Sequence, residues 1–185
     1  MAKPREEYIP RKYLDHFTRD GNGKYQFTGV RYCWEDSEEK RKKFLRTIFV
    51  YAMAVLALAS VPGFSASEAM LEGSGTVFGF LLEMTAAVAV LWKSVNALFT
   101  GQEIRDYQFK RSLEALPRCC ILSVIAAALS FLALVIYCLR NGGNLLNYWP
   151  LLSSKIVEAL LAIQLRKTVT SAKQNYIKKD NGQTT

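Results

Sequence analysis

The chain has 185 residues, half of them hydrophobic, and 24 Lys and Arg against 16 Asp and Glu give a formal net charge of +8. A single histidine, His16, supplies neither a catalytic triad nor a histidine metal site, and no H-E-x-x-H, G-x-S-x-G or Walker loop occurs, so no enzyme is expected. The cysteines Cys33, Cys119, Cys120 and Cys138 show no C-x-x-C spacing, which leaves no disulfide framework, zinc site or cofactor to infer.

Residues 1–36 form a polar extension rich in aromatics, among them Tyr8, Tyr13, Tyr25, Phe27, Tyr32 and Trp34. Asp20-Gly21-Asn22-Gly23 is a turn signal. Tyr25 and Phe27, then Tyr32 and Trp34, alternate on either side of Thr28-Gly29, and this spacing predicts a short β-hairpin. Two strands alone cannot bury a core, so the extension is expected to lie on a bilayer surface or on the ends of the helices. Asp36 followed by Glu39 predicts a helix start, with Asp36 as the N-cap.

Four apolar segments follow, at 44–62, 76–100, 119–139 and 145–165, each nineteen to twenty-five residues long. About 20 apolar residues at ~1.5 Å rise cross a hydrocarbon slab, so an all-α, four-helix transmembrane bundle is expected over 37–165. Pro62-Gly63 is read as the end of the first segment, and residues 67–71 as a helical turn between the first two. Between the second and third, Phe109, Leu113 and Leu116 recur beside Arg105, Lys110 and Arg111. The stretch 103–116 is therefore either an amphipathic interfacial helix or a plain linker. The basic tail, 166–185, reads as a solvated end over Lys178 to Gln183.

Charge gives the segments a direction. The extension before the first segment holds eleven Lys and Arg, the connection 101–118 four, and the tail five, whereas 63–75 holds none and 140–144 one. Lys and Arg favour the cytoplasmic side, so both termini are expected inside. Anionic inner-leaflet lipid is a sufficient partner for the positive charge, and nucleic acid is not expected. The first apolar run starts too far in for a cleavable signal peptide. Compact connections and the lack of an N-x-Ser/Thr sequon fit a bacterial inner membrane.

Five charged residues lie within the four segments: Arg46, Glu83, Lys93, Lys155 and Glu158. Charge inside a bilayer is costly and faces protein or water rather than lipid. The second and fourth segments run in the same direction. At the helical rise, Glu83 and Lys155 differ by about 5 Å in depth, and Glu158 and Lys93 by about 6 Å. Two pairs between those segments are thus expected, unless Lys155 pairs with Glu158 three residues on and Lys93 snorkels to the interface. Glu83 is the leading candidate for a functional group. Gly75 and Gly79 precede it at intervals of four, a spacing that lets helices approach closely, and Ser123, Ala126, Ala127 and Ser130 offer matching small residues.

The function expected from these features is that of an interaction module, a complex subunit or a homo-oligomer. A small oligomeric proton- or cation-coupled transporter or channel using Glu83 is the alternative. Four crossings with one intramembrane carboxylate are similar in outline to the small multidrug-resistance transporters. That family places its essential carboxylate in the first helix, however, whereas Glu83 lies in the second segment. No motif matches, and no residue is carried over.

Overall fold

The structure, a computed structural model, describes residues 17–19, 25–27, 29–64, 69, 72–141 and 145–179. Four long helices account for most of them: α1 (Glu38–Phe64), α2 (Ser74–Leu98), α4 (Leu116–Arg140) and α5 (Trp149–Ala172). A short helix, α3 (Asp106–Phe109), and a π-helical turn (Lys110–Glu114) lead into α4. A 3₁₀ turn (Leu145–Tyr148) leads into α5. Each long helix packs on two others, in the cyclic order α1, α2, α4, α5, so that α1 faces α4 and α2 faces α5 across the diagonals.

Three helical stretches, Glu38–Phe64, Ser74–Leu98 and Asp106–Arg140, are long and apolar enough to cross a membrane. The fourth segment of the sequence reading does not reach that level of hydropathy by itself, because α5 carries Lys155, Glu158, Arg166 and Lys167. Its Lys155 and Glu158 are turned inward and buried. Many outward-facing residues of the bundle are large and apolar, with Leu81, Val88, Trp92, Leu122, Leu132 and Leu160 all exposed.

Several local expectations are corrected. Ser37 rather than Asp36 caps α1: its hydroxyl accepts from the Lys40 amide at 3.5 Å, while Asp36 pairs with the Lys40 ammonium at 2.8 Å. Pro62 does not end α1, which runs on to Phe64 with Pro62 buried in its last turn. Pro117 and Pro150 each stand in a first helical turn, where the missing amide costs nothing.

The extension does hold an antiparallel strand pair, but not the one predicted between Tyr25–Phe27 and Tyr32–Trp34. Strand β2 (Tyr25–Phe27) pairs antiparallel with β1 (Phe17–Arg19), Phe17 opposite Phe27. Strand β3 (Arg31–Trp34) instead becomes the centre of a three-stranded antiparallel sheet, between β4 (Glu103–Arg105) and β5 (Tyr176–Lys179). The reason is burial. Tyr32 stacks on Phe109 at 4.3 Å, Trp34 on Phe44 at 5.6 Å, and Tyr176 meets Trp34 and Phe109 edge-on. Pairing of β3 with β2 alone would leave these rings without that surface.

The connection 103–116 is helical over Asp106–Phe109 and Lys110–Glu114, and its apolar residues turn toward the protein. Ile104, Phe109, Leu113 and Leu116 all join the core at the sheet end of the bundle. The tail is likewise built in: α5 continues seven residues past Leu165, and Lys178 and Lys179 lie in β5. The Asp20–Gly23 turn, Thr28, the rest of 1–16 with His16, the turn at 67–71 apart from Ala69, and Asp180 to Gln183 lie outside the described residues.

Candidate functional site

The bundle centre is set by three buried helical stripes. On α2 the inward residues are Thr76, Gly79, Glu83, Ala87 and Val90, at the 3–4 spacing of one helix face. On α5 they include Leu151, Ser154, Lys155, Glu158 and Ala162. On α4 they include Ser123, Ala126, Ala127 and Ser130. Small residues on α2 and α4 let these helices meet: a Cβ built on Gly79 would lie 3.0 Å from the Ser130 Cα. Gly75 makes no such approach, with nothing within 4 Å of its would-be Cβ. It lines an open groove of about 530 Å³ at the end of the bundle away from the sheet, with Glu72, Tyr137 and Arg140.

Glu83 and Glu158 are 0% exposed and Lys155 is 3% exposed. The Lys155 ammonium donates to Glu83 Oε2, so the ion pair bridges the α2–α5 diagonal through the middle of the bundle. Of the arrangements open to the sequence, this leaves Glu83 with a partner on another helix. The second expected pair, Glu158 with Lys93, is absent from the ion pairs of the described residues. Glu158 instead sits beside Glu83 and Lys155 and accepts from the Ser123 hydroxyl at 3.3 Å. Lys93 is only half-buried, near Cys119 at the sheet end.

Each carboxyl therefore satisfies one oxygen and leaves the other bare. Glu83 Oε1 and Glu158 Oε2 are fully buried without a protein hydrogen-bond partner. Val55, Ala59, Ala87 and Ala162 form an apolar cluster next to this polar layer, one turn beyond Glu83 and Glu158 on their own helices. A groove of about 290 Å³ between α4 and α5 reaches Lys155, the one polar side chain in its lining. Among the described residues, no group of three or more His, Cys, Asp or Glu is placed to hold a metal ion.

Two further residues escaped the sequence reading. Arg41 belongs to the basic run 40–43, yet it is buried and donates to the Thr100 and Gly101 carbonyls at 2.8 Å each. It thereby satisfies groups just past the C-terminal end of α2, where a cation also suits the helix dipole. Its position in the series Arg41, Leu45, Ile48, Ala52, Val55 was a readable signal, since that series is the buried stripe of α1. Tyr176, in the tail, is buried with its hydroxyl unpartnered, and burial pushes its phenol up from 10.0 to about 12. Nothing local marks it, because its neighbours come from β3 and α3.

No protein-family model, curated protein or solved structure matches the chain.

Proposed function

We propose that the chain is a four-pass integral membrane protein with both termini on the inner side, acting without catalysis as an interaction module, a complex subunit or a homo-oligomer. The Glu83–Lys155 pair carries this reading: the deeply buried charges bind helix to helix across the bundle diagonal, the role of polar glue between membrane helices. Topology has its own support. The three pieces of chain rich in Lys and Arg, namely the extension, the second connection and the tail, meet as β3, β4 and β5 in a single sheet at one end of the bundle. A bacterial inner membrane, with anionic lipid around the basic end, is the setting that fits compact connections and this charge. Extraction in mild detergent followed by light scattering and partner identification tests the reading. An assembly larger than one chain, or a stoichiometric partner, is expected; a clean monomer in every detergent and no partner would sink it.

A second reading, an oligomeric proton- or cation-coupled transporter using Glu83, is favoured by the two bare carboxyl oxygens at the bundle centre. Reconstituted vesicles test it. Flux that survives Glu83→Gln, or no flux for any cation tried, removes this reading and leaves the first untouched.

A further inference from the structure

The central polar layer contains two carboxyl groups and one ammonium, so with both acids ionised it carries one surplus negative charge in a medium that penalises it. Two of its four carboxyl oxygens are also left without a donor. Lys155 serves Glu83 Oε2, and the single hydroxyl proton of Ser123 serves Glu158 Oε1. Glu83 Oε1 and Glu158 Oε2 are left bare, on two carboxyl groups that sit beside each other. One proton placed between these oxygens repairs both defects together: it removes the surplus charge, and it makes one acid a donor to the other.

Among the described residues, no other charged group competes for that role. On α1, the residues from Thr47 to Phe64 include no Asp, Glu, Lys, Arg or His, and the titratable Tyr51 lies toward the sheet end. On α4, Cys119 and Cys120 are toward the sheet end, Tyr137 and Cys138 toward the other, and Ser123 between them is neutral. On α2 the next ionisable group is Lys93, ten residues or about 15 Å away, and on α5 it is Arg166, eight residues past Glu158.

We propose that Glu83 and Glu158 form a proton-binding site that holds one shared proton at the bundle centre. The inference deepens the ion-handling reading of this layer and rests on the same buried geometry, but it requires no flux. The site has a natural mimic in Glu158→Gln. That amide donates to Glu83 as the shared proton does, accepts from Ser123, and leaves the Glu83–Lys155 pair in place.

Infrared spectroscopy of the full-length protein in detergent, with ¹³C-labelled glutamate to assign the signal, reads the proton directly. At neutral pH a protonated-carboxyl carbonyl band is expected, shifted by ²H₂O and by the label, and lost in Glu158→Gln while that variant keeps the wild-type thermal midpoint. Absence of the band in the wild type overturns the proposal. So does a band that persists in both Glu158→Gln and Glu83→Gln. Sodium titrated at constant pH supplies the last arm: a rise in thermal midpoint without any carboxyl band would give the site to a metal cation instead. A positive band with no flux in vesicles would end the transporter reading alone, so the two can fail separately.

Discussion

Lys155 is the residue on which the centre turns, because among the described residues it is the one cation facing two acids. Replacing Glu83 with Gln removes one counter-ion but leaves Glu158 three residues along α5, on the same helix face as Lys155. Replacing Lys155 with Met leaves two buried acids and no cation, the case in which breaking a buried pair costs about 3–5 kcal/mol. Lys155→Met is therefore expected to lower stability more than Glu83→Gln in denaturant titrations of the detergent-solubilised protein, and the reverse order would refute a shared counter-ion. Tyr176 supports a prediction with a pH sign. Its phenol titrates near 10.0 when unfolded and near 12 when folded. A group raised in the folded state contributes fully below the lower value and loses that contribution as pH climbs through the higher one. The sheet should thus loosen between these pH values. Tyr176→Phe should abolish that loosening, which amide exchange of β3 and β5 would register, and it should leave stability near neutral pH unchanged or improved because it removes an unpartnered buried hydroxyl.

At the scale of elements, the helices were legible and the sheet was not. Long apolar runs, a 3–4 spacing of small residues and the parallel course of the second and fourth segments depend on local chain alone, and they placed Glu83 and Lys155 at compatible depths. The sheet depends on pairing among residues near 33, 104 and 177, which no local pattern couples. Tyr32 and Trp34 alternate as a strand should, yet their partners come from distant segments. The stretch after Glu103 shows the same limit: its helical spacing of Phe109, Leu113 and Leu116 was visible, but whether that face met lipid or protein was decided by the bundle end above it. The small-residue spacing was only half informative, because a Cβ at Gly79 would press on α4 while one at Gly75 would meet open space. Gly79→Leu should therefore force α2 and α4 apart at Ser130 and cost about 1–3 kcal/mol or more by overpacking. Gly75→Leu should be nearly silent. Equal thermal shifts for the two variants would contradict the close approach of α2 and α4.

At the scale of the whole molecule, two independent observations bear on the proposed direction of the chain. The first is the count of Lys and Arg, which favours the proposed inner placement of three connecting pieces. The second is that these three pieces hydrogen-bond to one another in a single sheet. A sheet cannot form across a bilayer, so whatever side holds β3 also holds β4 and β5, and the number of crossings between each must be even. With α1 and α2 between β3 and β4, and α4 and α5 between β4 and β5, each excursion is a pair of long helices, so α5 must cross if α4 does despite its charges. Cys33 on β3 and an introduced cysteine at Ser74, which is exposed at the opposite end, report the two sides. In a background otherwise free of cysteine, a membrane-impermeant maleimide added to intact cells should modify Ser74→Cys and spare Cys33 until the membrane is opened. Labelling of both from the outside would mean that α1 does not cross, and the paired excursions, together with the inner placement of the sheet, would have to be abandoned.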